Sequence, residues 1–170
     1  MKRIFGLSSF SPTVPMKVGT ILEGKILRAY CTTQNLTLNT PKSLVLGDKD
    51  YIGHTPDGVT SYPHREVLEV KVIFSKKSLQ SMLNLHLHQL QLGLLVHKCR
   101  KGRLLVYYVA PSQMTEYEAN THIVDCADLE VGTFQKDDNW VSLFTAKSHE
   151  FYTNHLMWFY TPNFNTDEAF

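Results

Sequence analysis

The sequence predicts an α+β domain: an antiparallel β-sheet with one main helix packed on it, preceded by a flexible N-terminal arm. Three observations carry this expectation. Residues 66–74 alternate, with Leu68, Val70, Val72 and Phe74 set against Glu69 and Lys71, as in a strand with one buried and one wet face. Residues 75–92 then change period, placing Leu79, Met82, Leu83, Leu87 and Leu90 on one helical face. Helices do not alternate regularly with strands along the chain, which disfavours a doubly wound parallel sheet.

Taken in order, residues 1–15 read as the arm, punctuated by Gly6, Ser8, Ser9, Pro12 and Pro15. A single globular domain follows over 16–162, and 163–170 read as a loose tail. Thr20 to Tyr30 is rich in β-branched and apolar residues and predicts a strand, with a bend at Gly24. Leu36 to Leu46 predicts a second extended stretch, and residues 47–64 a long loop rich in Gly, Pro and Asp. After the helix, Leu94–Cys99 and Arg103–Val109 read as two strands joined by a tight turn at Arg100-Lys101-Gly102-Arg103. Trp140–Ala146 and Phe151–Tyr160 read as the last strands.

Of the 170 residues, 43% are apolar and 19% charged, which supports a packed core and excludes global disorder. The net charge of +1 supplies no general attraction to nucleic acid or anionic membrane, so any such binding is local. Cys31, Cys99 and Cys126 are scattered, without a Cys-x-x-Cys, and predict a reducing compartment rather than a disulfide scaffold. No apolar run reaches the ~18 residues a bilayer span needs.

Several residue patterns bear on chemistry. Lys98, Arg100, Lys101 and Arg103 would form a compact basic hairpin tip able to contact phosphates or lipid headgroups, which would suit a small nucleic-acid-binding accessory protein; the plainer reading is a solvated turn. His86, His88, His97 and Cys99 suggest zinc, but His86 and His88 are two apart and diverge on a helix, so no metal site is expected. No nucleophile elbow or glycine-rich phosphate loop is present, and no cofactor is called for. Pro56-Asp57 followed by Glu69-Val70-Lys71 is similar to the Pro-Asp…Glu-x-Lys signature of a large nuclease fold. In that alternative Asp57 and Glu69 hold Mg²⁺ and Lys71 steadies the attacking hydroxide or the developing charge. The helical Glu usual upstream in such nucleases has no visible counterpart, because the chain before Asp57 reads as strands and loop.

The whole arrangement also resembles the rhabdovirus matrix proteins, in particular the plant-infecting members. The arm opening Lys2-Arg3-Ile4-Phe5-Gly6-Leu7, the run Val67–Ser75 with its following helix and strand pair, and Pro12-Thr13-Val14-Pro15, similar to a late-domain motif, carry the resemblance. It implies a non-enzymatic virion protein that self-associates and bridges the viral nucleocapsid to the inner face of host membranes. On that reading Lys2, Arg3, Ile4 and Phe5 contact the membrane, Lys98, Arg100, Lys101 and Arg103 contact headgroups or nucleocapsid, and Pro12, Thr13, Val14 and Pro15 engage host budding machinery.

Overall fold

A computed structural model describes residues 11–41, 44–118 and 123–156. Val14–Thr33 forms a helix, α1, where a strand over 20–30 was predicted. The reason is periodicity. Val18, Leu22, Ile26 and Tyr30 recur every fourth residue, Leu27 and Cys31 widen the stripe, and all six are buried. Burying such side chains gains about 1.5–3 kcal/mol each. The low helix propensity of Thr20 and Ile21 costs only some tenths of that. Thr13 sits at the N-cap and Pro15 in the first turn, where a missing N–H costs nothing. Asn35, at φ 51°, ends the helix in the left-handed conformation, and the Leu36 N–H returns to the Cys31 carbonyl at 2.8 Å. Pro12-Thr13-Val14-Pro15 is therefore a helix start, not a free extended motif. Lys2, Arg3, Ile4, Phe5 and the predicted tail lie outside the described residues.

β1 (Thr37–Asn39) joins a five-stranded sheet, while β2 (Val45–Leu46) and β3 (Gly53–His54) pair with each other. β4 (Gly58–Tyr62), β5 (Val67–Ile73), β6 (Lys101–Tyr108) and β7 (Leu129–Gln135) complete the large sheet in the order β1-β4-β5-β6-β7. The α+β class with a mostly antiparallel sheet holds. Within it β5 and β6 run parallel, in register from Val67↔Gly102 to Ile73↔Tyr108. Parallel neighbours need a crossover, and α2 (Leu79–Leu85) and α3 (Leu87–Val96) supply it. The expected single helix thus divides at His86, and the expected strand Leu94–Cys99 is largely the end of α3. The expected basic turn is instead the approach to β6 and its first residues. α4 (Met114–Glu118) and α5 (Asp138–Phe151) follow, α5 replacing the predicted strand over 140–146.

The sheet is covered on both faces. Leu68, Val70, Leu105 and Tyr107 pack on α1. Val67, Leu104 and Val106 pack on Met82, Leu90 and Leu94 of the crossover, with Phe134 of β7. β5 is consequently buried from Val67 to Val70 without alternation. Glu69, expected on a wet face, is 2% exposed. The parallel pairing tolerates no side chain at Gly102, because a Cβ there would lie 2.6 Å from the Val67 carbonyl oxygen, a backbone atom. Gly102→Ala is therefore expected to cost about 1–3 kcal/mol. A lower denaturant midpoint at unchanged m-value would report it.

Candidate active site

β4 pairs with β5 only as far as Gly58↔Leu68, so from Glu69 onward this edge of β5 has no β4 partner. Asp57, the residue before β4, takes over where the ladder stops. Its Oδ2 accepts the Val70 N–H at 2.7 Å. This bond fixes Asp57 beside the next residues of β5. Glu69 turns toward the crossover helices, where its Oε1 accepts from Lys71 Nζ and from Gln89 Nε2 of α3, each at 2.5 Å. Gln89 can reach Glu69 because α3 lies close to the sheet. One turn further on, a Cβ at Gly93 would meet Val67 Cγ1 at 3.3 Å.

The electrostatics of this corner are those of negative charges short of a cation. Burial pushes Glu69 up to about 7; the Asp57 charge adds to the rise, and Lys71 opposes it. Burial also raises Asp57, against the pull of the Val70 N–H and of Lys71. A third carboxyl, Glu23 on α1, is raised by burial and then by Asp57. Three neighbouring carboxyls that resist ionisation are a feature of sites built to share charge with a ligand rather than to stabilise the fold.

The donor set suits a hard divalent cation. Among the described residues no three His, Cys, Asp or Glu side chains converge as a complete ligand cluster. Mg²⁺ does not need one: it binds through one or two carboxylates and keeps several waters and substrate phosphates as its other ligands. Asp57 and Glu69 fit that requirement. Space for the remaining ligands is present. A cleft of about 550 Å³ opens onto Glu23, Val70 and Lys71. A second, also about 550 Å³, opens onto Asp57, Gly24 and Arg28. The two share Thr20 and Glu23, so together they flank the carboxyl cluster along α1.

The structure thus brings Asp57, Glu69 and Lys71 together, and adds Glu23 and Gln89, which the sequence reading missed. The four-residue recurrence from Val18 to Tyr30 was the signal that would have placed Glu23 on a helix. The basic residues are not gathered at a tip. Lys98 pairs with Asp48 at 2.6 Å and Arg100 lies 3.6 Å from Asp138. Lys101 and Arg103 both grip the buried Glu66, at 2.8 and 3.0 Å. Nor do the histidines gather. His88 Nδ1 accepts the Trp140 Nε1–H at 2.8 Å. His97 Nε2 meets His54 Nδ1 at 3.3 Å, and Cys99 Sγ donates to the His97 carbonyl.

Comparison with solved structures bears directly on this geometry. The chain is similar in fold to an alkaline exonuclease, LHK-Exo, from Laribacter hongkongensis, at TM-score 0.59 and 14% identity over 89% of this chain and 72% of that one. LHK-Exo in complex with dAMP matches at TM-score 0.60 and 15% identity, covering 89% and 73%. A phage-related exonuclease from Haemophilus somnus matches at TM-score 0.66 and 13% identity, covering 87% and 73%. No protein-family model matches the chain, and no curated protein matches its sequence. The shared exonuclease fold overturns the expectation of a non-enzymatic matrix protein acting in membrane association and budding. Of the strand, helix and hairpin order that formed part of the resemblance, the hairpin over 94–109 is absent: residues 94–96 end α3, and β6 pairs in parallel with β5.

The raised Glu69 pKa has a consequence for stability. A carboxyl with a folded pKa above its unfolded value near 4.5 favours folding when protonated. That contribution is complete below about pH 4.5 and is lost as pH rises through about 7. The metal-free parent should therefore lose stability relative to Glu69→Gln over this window, by on the order of 3 kcal/mol. Parallel thermal melts of the two proteins from pH 4.5 to 8 measure it; a constant difference would show that Glu69 ionises freely.

Proposed function

We propose that this chain is a Mg²⁺-dependent nuclease that hydrolyses phosphodiester bonds, acting as an exonuclease. The observation that carries the reading is the meeting of Asp57, Glu69 and Lys71 at the open edge of β5, with Glu23 and Gln89 around them. The fold likeness to three exonuclease structures, one of them holding dAMP, supports it. The roles follow from position. Asp57 and Glu69 would hold the cation, which when bound supplies an activated water and offsets charge on the scissile phosphate. Gln89 fixes the Glu69 carboxylate by donating to one of its oxygens. Lys71 brings a positive charge to the same oxygen and can transfer its donation to the attacking oxygen or the pentavalent phosphate. Arg28, at the far end of the groove, offers a planar donor pair to a backbone phosphate.

End-labelled single- and double-stranded DNA and RNA, incubated with Mg²⁺ or with EDTA, test the proposal. The parent should release mononucleotides with Mg²⁺ and nothing with EDTA. Asp57→Ala, Glu69→Ala and Lys71→Ala should each lower the rate about a hundredfold or more while retaining their circular dichroism. Because protons compete with the cation for Glu69, the rate at limiting Mg²⁺ should rise through about pH 7, and the rise should move to lower pH as Mg²⁺ is increased. Absence of metal-dependent cleavage on all four substrates would refute the proposal.

A further inference from the structure

A third cleft, of about 430 Å³, borders Lys71 but not Asp57 or Arg28. It is set between the end of β5 and the corner where α2 meets α3. Its walls are of two kinds. Phe74, Met82 and Leu85 give an apolar surface, while Lys77, His86 and Lys71 line it with polar groups. Met82 is buried floor, but Leu85 stands 61% exposed, a large apolar side chain facing the cleft with nothing covering it. Lys71 is paired with Glu69, so the ammonium this cleft offers to an anion is that of Lys77. Lys76 is turned away over the Tyr108 ring at 5.4 Å, whereas Lys77 borders the cleft. His86 is held below the ordinary imidazole range by burial and by the charges of Lys71 and Lys77, so its ring is neutral at pH 7 and can both donate and accept.

A surface that combines one apolar wall, one free ammonium and one neutral imidazole within a nucleotide-sized space matches the parts of a nucleotide. The base has an apolar face and a hydrogen-bonding edge, and the phosphate is anionic. The cleft also shares Lys71 with the catalytic corner, so a strand crossing that corner would run from the Arg28 end of the groove into it. Resting on the nuclease reading above, we infer that this cleft holds one nucleotide of the substrate strand on the Lys71 side of the scissile phosphate. Its base lies against Phe74, Met82 and Leu85, and its phosphate is held by Lys77.

Binding separates this from catalysis. Fluorescein-labelled DNA oligonucleotides, each with one abasic residue walked from the end inward, are titrated by fluorescence polarisation. The proteins are Glu69→Gln and the same protein carrying Leu85→Asp or Lys77→Ala. One abasic position should weaken binding to Glu69→Gln about fivefold or more, and the same lesion should cost nothing further with Leu85→Asp. Lys77→Ala should weaken every oligonucleotide alike and lower the salt slope by about 0.7, the loss of one single-strand phosphate contact. If both added variants bind every oligonucleotide as Glu69→Gln does, the nucleotide cleft is refuted even where the parent cleaves DNA. If the position-dependent pattern appears but the parent cleaves nothing with Mg²⁺, the cleft stands and the hydrolytic reading falls.

Discussion

The hydrogen bond from the Val70 N–H to Asp57 Oδ2 sets the geometry on which the rest of the site depends. An antiparallel ladder would continue by pairing Asp57 with Glu69, backbone to backbone. Here the ladder stops at Gly58, the first residue of β4, and a side-chain oxygen of the preceding Asp57 accepts the Val70 amide. A buried amide without a partner costs about 1–3 kcal/mol, so the end of the ladder and the placement of the Asp57 side chain support one another. The end of the ladder opens the edge of β5, and the bond keeps a carboxylate there, next to Glu69 and within the field of Lys71 and Glu23. The geometry of the candidate site is thus obtained by stopping a strand pair at Gly58 and using the side chain of the residue before it.

The second determinant is the crossover. Had β5 been followed by a hairpin, one face would have stayed wet and Glu69 would have been an ordinary surface carboxylate. Because β6 is parallel, α2 and α3 must return across that face, and they bury Glu69 to 2% exposure. Burial alone would make the group a liability. Lys71 and Gln89 offset part of the cost by meeting one of its oxygens. Asp57 and Glu23 work in the opposite direction. The balance leaves a carboxyl pushed up to about 7, a state that weakens the fold once it ionises and, on the proposed reading, would let a cation bind with gain. Stability and function pull against each other at this residue, as they commonly do at sites that bind ligands.

What could be read from the sequence divides along physical lines. β5 was legible because its alternation is local, and Asp57, Glu69 and Lys71 were legible as a pattern because two of them sit on that strand. Glu23 was not, because β-branched residues in 20–30 outweighed the four-residue recurrence of Val18, Leu22, Ile26 and Tyr30. Reading a strand there removed the helix that carries the third carboxyl. The crossover was misread for a related reason: Leu94–Cys99 is apolar enough for either a strand or a helix end, and only the parallel partner decides. Lys98, Arg100, Lys101 and Arg103 looked like a free cationic tip because their partners are distant in sequence. Asp48, Asp138 and Glu66 become neighbours only when the sheet closes.

On the proposed nuclease reading, the charge distribution lets a chain of net charge +1 handle a polyanion. The corner of Asp57, Glu69 and Glu23 is locally acidic, so without a cation it would repel phosphates. Mg²⁺ held by Asp57 and Glu69 would cancel that excess of negative charge, and Lys71 would no longer be the only charge opposing the carboxylates. Metal and substrate then favour one another's binding, since each reduces the repulsion the other would meet. Arg28 on one side and Lys77 on the other extend the positive field along the clefts without raising the charge of the whole surface. On that reading association would be confined to the groove, and a protein with almost no net charge would grip nucleic acid at one place only.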